Sequence, residues 1–456
     1  MPLPISNLPG PPPANNLYRA FRLLRLVKKD LLGLIQGGFA EFGDIYRVEV
    51  LGRRQLLICN PQHIREVLLE KSDEFFKNID YTDPRIGLAR FLGSGLLTSN
   101  GDFWKRQRRL VAPALHVKRI AAYAQNMVDS TTRMLETWQD GKTVDIDLEM
   151  MHATLEIVAK SLFQTDVSGD AQRIAGAMGI LQQMVDANNS AQAIIPAWMP
   201  TPLRFRVDRA VKNLDSIVYR LIEERKKSGE VRDTGDLLSM LLLARDDDDR
   251  PMTDRQARDE IVTMFLAGHE TTANALNWTW VLLSENPEAE KKLHEELDLV
   301  LGGRLPTLED IKKLPYTEMV IKESLRLYPP AFTYSRVAVK ETEIGPYRIP
   351  EGTEVAVVAY ATQRDSRFWK DPESFRPERF SPENEMQIPK FAWIPFGGGP
   401  RVCIGNAFAM MEACLMLAVI ASRYSLRLVN PGPVKKNPRL TLRPGNGLPM
   451  ILRKRN

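Results

Sequence analysis

The sequence predicts a mainly α-helical protein with small β-sheets, an α+β fold built around one long central helix. Three observations carry that prediction. The pattern reads as strands early, helices through the middle and strands again late, with mostly helical apolar spacing from Asp102 to about Arg245. Thr253-x-x-Gln256 is a capping box and Asn286-Pro287 a stop. The roughly 32 residues between them, at 1.5 Å each, make a helix about 48 Å long, enough to cross the whole molecule. Finally, no internal repeat and no domain-separating linker interrupts the chain. Residues 1–456 are therefore read as one domain, although the chain exceeds the usual single-core limit of roughly 250–300 residues.

Residues 1–16 are Pro-rich and lack the basic and apolar regions of a leader. No stretch reaches the ~18–20 apolar residues of a spanning helix, so a soluble chain without a membrane anchor is expected. Leu17–Ile35 mixes Leu with Arg and Lys, a composition suited to loose association with a membrane surface. Asp44–Cys59 alternates and breaks at Leu51-Gly52-Arg53-Arg54, which predicts a hairpin. Asn60-Pro61 then reads as an N-cap with Pro at the first helical position. The run Asp246–Asp249 lacks the glycine and terminal glutamate of a calcium loop and reads as a solvated interhelix loop.

Composition bounds the function. Hydrophobic content of 44% and charged content of 26% are ordinary for a globular protein. Three cysteines, Cys59, Cys403 and Cys414, are too few and too unevenly placed for a disulfide framework, which favours a reducing, cytoplasmic location. Five histidines show no metal-type spacing. Basic residues are dispersed and balanced by 57 acidic ones, so nucleic acid is not an expected partner.

Four motifs carry chemistry. The run Phe396-Gly397-Gly398-Gly399-Pro400-Arg401-Val402-Cys403-Ile404-Gly405 puts a cysteine where a glycine-rich loop meets a helix beginning near Asn406. A thiolate there is stabilised by the helix dipole and by backbone N–H groups, and serves as a nucleophile or an axial iron ligand. A phosphate loop would need Lys followed by Ser or Thr, and neither is present. Inside the long helix, Ala267 and Gly268 are small enough for a planar group to approach the backbone. Thr271 can bond back to the Ala267 carbonyl and bend or open the helix. A turn opened beside Glu270 and Thr271 can hold oxygen and water and relay protons. His269 reads as structural.

Glu323 and Arg326 lie at i and i+3 on a helix that ends at Tyr328-Pro329-Pro330, followed by Phe375-x-Pro377-x-Arg379-Phe380. Trp104 and Arg108 lie at i and i+4 on a helix after Asn100-Gly101-Asp102. Indole N–H is donor-only and guanidinium is permanently charged, so both suit buried carboxylates.

Together, and in this order along the chain, the motifs resemble those of the cytochrome P450 family, whose haem loop is FxxGxRxCxG. The resemblance implies the P450 fold, with the long helix over haem b (iron protoporphyrin IX), and a haem-dependent monooxygenase that uses O2. It implies Cys403 as the iron ligand, Thr271 and Glu270 as the proton path, and Ala267, Phe396 and Gly405 beside the haem. It also implies Trp104, Arg108, Arg401 and Arg336 on the propionates, and a Glu323–Arg326–Arg379 scaffold beneath the loop. Gln363 stands where many relatives have His. The proline-rich run Leu8–Pro13 resembles the hinge that follows the anchor in microsomal members.

Electrons are expected from outside, because the roughly 50 residues after Cys403 hold no flavin, nicotinamide or iron–sulfur fingerprint and no fused reductase. A net charge of +5 suits an acidic ferredoxin or flavodoxin with its reductase. Lys105, Arg106, Arg109, Lys118 and Arg119 form the candidate docking patch. Expected pocket linings, by resemblance, are Tyr81–Phe91, Phe265–Ala267, Ala331–Thr333 and Gly447–Leu448, with a helical lid in about Ile174–Phe205. These are mainly apolar. Arg53 lies near the carboxylate-binding arginine of a fatty-acid hydroxylase relative, with Leu57 in place of its accompanying tyrosine. A fatty acid is thus the expected substrate, with hydroxylation or epoxidation of a terpenoid, carotenoid or steroid as the alternative. A peroxygenase would replace the Glu270-Thr271 pair, a rearrangement enzyme would lack the threonine, and a haem sensor would need a further module.

Overall fold

The hairpin expected around Leu51-Gly52 opens the largest sheet of the structure. This is a computed structural model, which describes residues 2–164, 170–188, 199–227, 232–246 and 248–455. Strands β1 (Ile45–Val50) and β2 (Arg53–Ile58) pair antiparallel with Tyr46 opposite Leu57. Leu51 and Gly52 turn the chain at φ 47° and 81°, the left-handed pair that matches the twist of a two-residue hairpin. The sheet is completed by β3 (Phe75–Phe76), β5 (Tyr334–Ala338) and β6 (Glu354–Val357), in the order β1-β2-β6-β5-β3. Strand β4 (Thr143–Asp145) joins β7 (Tyr424–Leu428) and β10 (Pro449–Lys454) in a second sheet. Strands β8 (Lys436–Pro438) and β9 (Leu442–Pro444) form a separate hairpin.

Helices fill the middle. They include α1 (Leu17–Phe42), α2 (Gly101–Val111), α3 (Ala124–Glu136), α4 (Ile146–Phe163), α5 (Ala171–Asn188) and α6 (Pro202–Lys227). After them come α7 (Asp254–Glu285), α8 (Pro287–Leu301), α9 (Pro315–Leu327) and α10 (Asn406–Ala421). Helix α7 is the expected 32-residue element, capped by reciprocal Thr253 and Gln256 bonds and stopped at Asn286-Pro287. It packs on α4, α6, α9 and α10. Phe265 stacks on Phe163 with ring centroids 4.5 Å apart, and Trp278 on Tyr328 at 4.1 Å.

Such packing on every side explains why α7 is not amphipathic: it is buried almost all round. Several of its polar residues are matched individually, while Thr263 Oγ1 and Trp280 Nε1 are buried without a partner among the described residues. Arg258 pairs with Asp215 at 2.6 Å, Asn277 donates to Asp147 at 2.7 Å, and the Trp278 indole donates to the Leu442 carbonyl at 3.0 Å. The largest apolar core runs from Leu32 to Leu452, with two smaller clusters separate from it. Among the described residues, no helix is long and apolar enough to cross a membrane. Asp246 departs from the solvated loop expected of it, because its carboxylate holds Arg106 of α2 at 2.7 Å.

Candidate functional site

Between Ala257 and Leu283, α7 is buried everywhere except at Ala267, Gly268 and Thr271. Ala267 and Thr271, at i and i+4, lie on one face of the helix and leave an unpacked stretch in its otherwise buried surface. Thr271 donates to the Ala267 carbonyl at 2.7 Å, the expected back-bond. The opening expected as the alternative to a bend does not accompany it. Helix α7 runs unbroken through this turn, because a carbonyl has two lone pairs and the hydroxyl adds its bond beside the backbone one. Gly268 also has a different role from the one expected. A Cβ there would lie 2.8 Å from Val158, so the glycine admits α4 rather than a planar group. His269 is buried with Nδ1 2.5 Å from the Phe265 carbonyl, and burial pushes its pKa down, as suits a structural histidine.

Glu270 is buried beside Thr271. Its Oε1 accepts from Thr441 Oγ1 at 2.7 Å and from Gln182 Nε2 at 3.2 Å, while Oε2 has no partner among the described residues. Helix α10 reaches the same place from below, with Glu412 lying against Thr272. Burial pushes the Glu412 carboxyl far up.

Three residues before α10, Cys403 sits at the end of its loop. The Cys403 N–H donates to the Phe396 carbonyl at 2.9 Å, closing the loop on itself. Gly397 turns at φ 74°. Gly399, at φ 64°, passes so close to Leu68 that any Cβ would overlap its carbonyl oxygen. The Cys403 side chain is exposed although protein surrounds it, as expected of a thiol facing an interior void. Desolvation pushes the thiol up, while the Gly405 N–H and the Arg108 charge oppose that shift. Tyr334 underpins the loop, donating to the Ile394 carbonyl at 2.7 Å and accepting from the Gly397 N–H at 3.1 Å.

A cluster of cations borders the loop. Arg401 lies over the Trp104 ring at 4.0 Å and donates to Asn100 at 2.9 Å, but its Nη1 is buried without a partner. Burial, then the charges of Arg336 and Arg108, push its pKa down to about 9. Arg336, on β5, is buried and, among the described residues, donates only to the Ser335 carbonyl. Arg108 is depressed by burial and lies 5.8 Å from the Trp104 ring. Sequence reasoning missed a fourth cation. Lys77 is held down by burial and by Arg336 and Arg401, and donates to the Leu97 carbonyl at 2.6 Å. Its only sequence signal was a lysine after Phe75-Phe76. Among the described residues, no carboxylate pairs with any of these four. Four cations that repel one another, one with an orphaned guanidinium nitrogen, fit a ligand carrying two carboxylates. With the thiol of Cys403 and the open face at Ala267, the donor set fits haem.

Below the loop, Glu323 and Arg326 are fully buried in a bidentate pair at 2.7 and 2.8 Å, and Arg379 reaches Glu323 at 3.3 Å. The Arg376 N–H adds a bond to Glu323 at 2.9 Å.

Other expected features fall differently. Arg53 is bound by Glu354 at 2.6 Å and by Asp80 at 3.4 Å, so its charge is already matched within the protein. Of the expected docking patch, Lys105, Arg106 and Arg119 are paired to Asp102, Asp246 and Asp233. Of the expected pocket lining, Phe91 and Phe265 belong to the packed core, while Tyr81, Ala331 and Thr333 are partly open. The expected lid corresponds to α5 and the start of α6, with residues 189–198 outside the described residues.

A sequence model of the family described as Cytochrome P450 matches residues 9–449. The chain is 39% identical over 395 residues to cyclooctat-9-en-7-ol 5-monooxygenase of Streptomyces melanosporofaciens, covering 86% of this chain and 84% of that protein. It is 37% identical over 409 residues to cyclooctatin synthase of the same organism, covering 88% and 87%. It is 33% identical over 389 residues to pentalenene oxygenase of Streptomyces avermitilis, covering 84% of each.

Proposed function

The chain belongs to the cytochrome P450 family and is a haem-thiolate monooxygenase; from that premise we propose that it oxidises a terpenoid, with electrons from a ferredoxin-type partner. Similarity to three relatives named for cyclooctatin, cyclooctat-9-en-7-ol and pentalenene chemistry supports the terpenoid. One structural observation weighs against the fatty-acid reading: Arg53 is already matched by Glu354 and Asp80. The chain acts in this reading as one haem domain, carrying haem b.

Each residue has a role in it. Cys403 ligates the iron, its loop shaped by Gly397 and Gly399 and its thiolate favoured by the Gly405 N–H and Arg108. Phe396 anchors the loop through its carbonyl. Trp104, Arg108, Arg336, Arg401 and Lys77 hold the propionates. Bound haem supplies the activation of dioxygen. Ala267 leaves room over it, and Thr271, its hydroxyl hydrogen turned to the Ala267 carbonyl, presents oxygen lone pairs to a water or hydroxyl in the opening. Glu270 supplies protons. Apolar walls exclude bulk water and orient a substrate by shape.

The test is a spin-state titration of the haem-loaded protein with cyclooctat-9-en-7-ol, pentalenene and a series of long-chain fatty acids. Micromolar conversion by a terpenoid, with fatty acids weaker and indifferent to Arg53→Ala, is the expected result. Tighter binding of fatty acids than of their methyl esters, abolished by Arg53→Ala, returns the reading to fatty acids.

A further inference from the structure

Glu270 is gripped from two sides by residues that no motif singles out. Thr441 stands just before β9, in the β8–β9 hairpin, and Gln182 stands on α5. Each has its donor direction set by a further residue. Asn274 Nδ2 donates to Thr441 Oγ1 at 3.0 Å, so the single hydroxyl hydrogen is left for Glu270 Oε1 at 2.7 Å. Arg443 donates to Gln182 Oε1 at 2.8 Å, which turns the amide nitrogen toward the same Oε1 at 3.2 Å. Arg443 is held in turn by Asp147 at 2.8 Å, and Asp147 by Asn277 at 2.7 Å. Two donors therefore meet on one oxygen, and the other, Oε2, is buried and unpartnered among the described residues.

We propose that Thr441 and Gln182 are positioning residues for Glu270, fixing Oε1 as a permanent acceptor so that Oε2 carries the proton it delivers. The proposal rests on the reading of Glu270 as a proton supplier. It adds that the hairpin and α5 together set the direction in which Glu270 works. A carboxylate free to rotate would present either oxygen and lose the orientation on which proton transfer depends.

The experiment uses the haem-loaded full chain with a surrogate ferredoxin and its reductase, NADPH, and pentalenene as probe. NADPH oxidation is followed in H2O and D2O together with the share of electrons recovered as peroxide, which needs only that the protein accept electrons. Glu270→Gln should slow the proton-dependent step about a hundredfold, the low end for a positioned proton donor. Thr441→Val and Gln182→Met should each slow it about fivefold, as for loss of one neutral hydrogen bond, with larger solvent isotope effects and more peroxide. Thr441→Ser should return to within about twofold of the unaltered protein, because it restores the donor. If Thr441→Val fails to fold, Gln182→Met carries the same test. A normal isotope effect in both positioning variants, while Glu270→Gln changes it, removes the positioning role and leaves Glu270 standing. An effect of Thr441→Val that Thr441→Ser does not reverse is packing and also overturns the proposal. If Glu270→Gln changes nothing, the reading of Glu270 falls and the proposal with it.

Discussion

Gln363 Oε1 accepts a 2.7 Å hydrogen bond from the Ile394 N–H, while its amide nitrogen donates at 2.9 Å to the carbonyls of Leu325 and Arg326. One fully buried side chain thereby ties the end of α9 to the segment that leads into the Cys403 loop. Arg326 returns the contact by donating to the Gln363 carbonyl at 2.8 Å. Position 363 is thus a joint between the scaffold pair and the cysteine loop.

Gln363→Leu leaves three buried backbone groups without this partner, at about 1–3 kcal/mol for each that finds no other. A lower melting temperature and reduced haem content per protein are expected, read from calorimetry and the ratio of haem to protein absorbance. Gln363→His restores part of the donor and acceptor capacity and should recover part of both. Normal haem content in Gln363→Leu would show that the joint does not hold the loop.

Glu323→Ala leaves Arg326 buried with its carboxylate partner gone, which costs about 3–5 kcal/mol. Arg326 keeps its bonds to the carbonyls of Gln363, Pro372 and Ser374, but these are neutral acceptors. The variant should express poorly and hold little haem. Glu323→Asp, with the charge kept but the reach shortened, should fall between. Denaturant unfolding of haem-loaded material checks the order.

Much of this site is legible from residue chemistry alone, and the illegible parts have a common cause. A capping box, a Pro stop and a Leu51-Gly52 turn act within a few residues of chain, so their effects are local and readable. The loop around Cys403 is readable because its glycines, arginine and cysteine stand in one run of ten residues, although the close approach that requires Gly399 is to the distant Leu68. Lys77, Gln363, Thr441 and Gln182 are different. Each acts through partners far away in sequence, and nothing near them signals a contact made only by folding. The same holds for Arg53, whose charge looks available until Glu354, 301 residues away, is seen to match it.

Lys77 should tighten haem although it lies outside every motif. Burial and two neighbouring cations disfavour its charge, so a propionate in reach relieves a cost already present in the fold. Lys77→Met keeps the length and removes the charge. Loss of one charge-assisted bond is worth about 1.5–3 kcal/mol, or about ten- to a hundredfold in haem retention. Transfer of haem to apomyoglobin measures it directly, and an unchanged transfer rate would exclude Lys77 from the cluster that binds the propionates.

Glu260 gives the protein a pH dependence of its own. Burial pushes its carboxyl up to about 8; the Leu96 N–H opposes this and the Asp259 charge adds to it. The folded state therefore holds a proton that the unfolded chain releases near pH 4.5. Where the folded state binds more protons, stability falls as pH rises. This contribution is fully present below about pH 4.5 and is lost as pH climbs through about 8. Glu260→Gln removes the titration, so its melting temperature should change less between pH 5 and 9, with the variant gaining on the unaltered protein at the alkaline end. Parallel curves for the two proteins would assign the slope to another group.

Thr271 offers the sharpest separation of chemistry from scaffold. Its hydroxyl hydrogen is committed to the Ala267 carbonyl, so what it presents to the opening on α7 is an acceptor. Thr271→Val keeps the shape and removes that acceptor, and Thr271→Ser keeps the acceptor and removes a methyl group. Neither change touches the packed faces of α7, because Thr271 is one of the three residues left open there. Both variants should therefore melt within about 0.5 kcal/mol of the unaltered protein, as substitutions away from packed contacts do. They should differ in outcome. With a terpenoid that converts the haem spin state, Thr271→Val should consume NADPH and release peroxide in place of product, whereas Thr271→Ser should stay coupled. The ratio of peroxide to product per NADPH decides it. Equal coupling in the two would mean that the hydroxyl serves the helix alone, and the proton path would then have to run from Glu270 without Thr271.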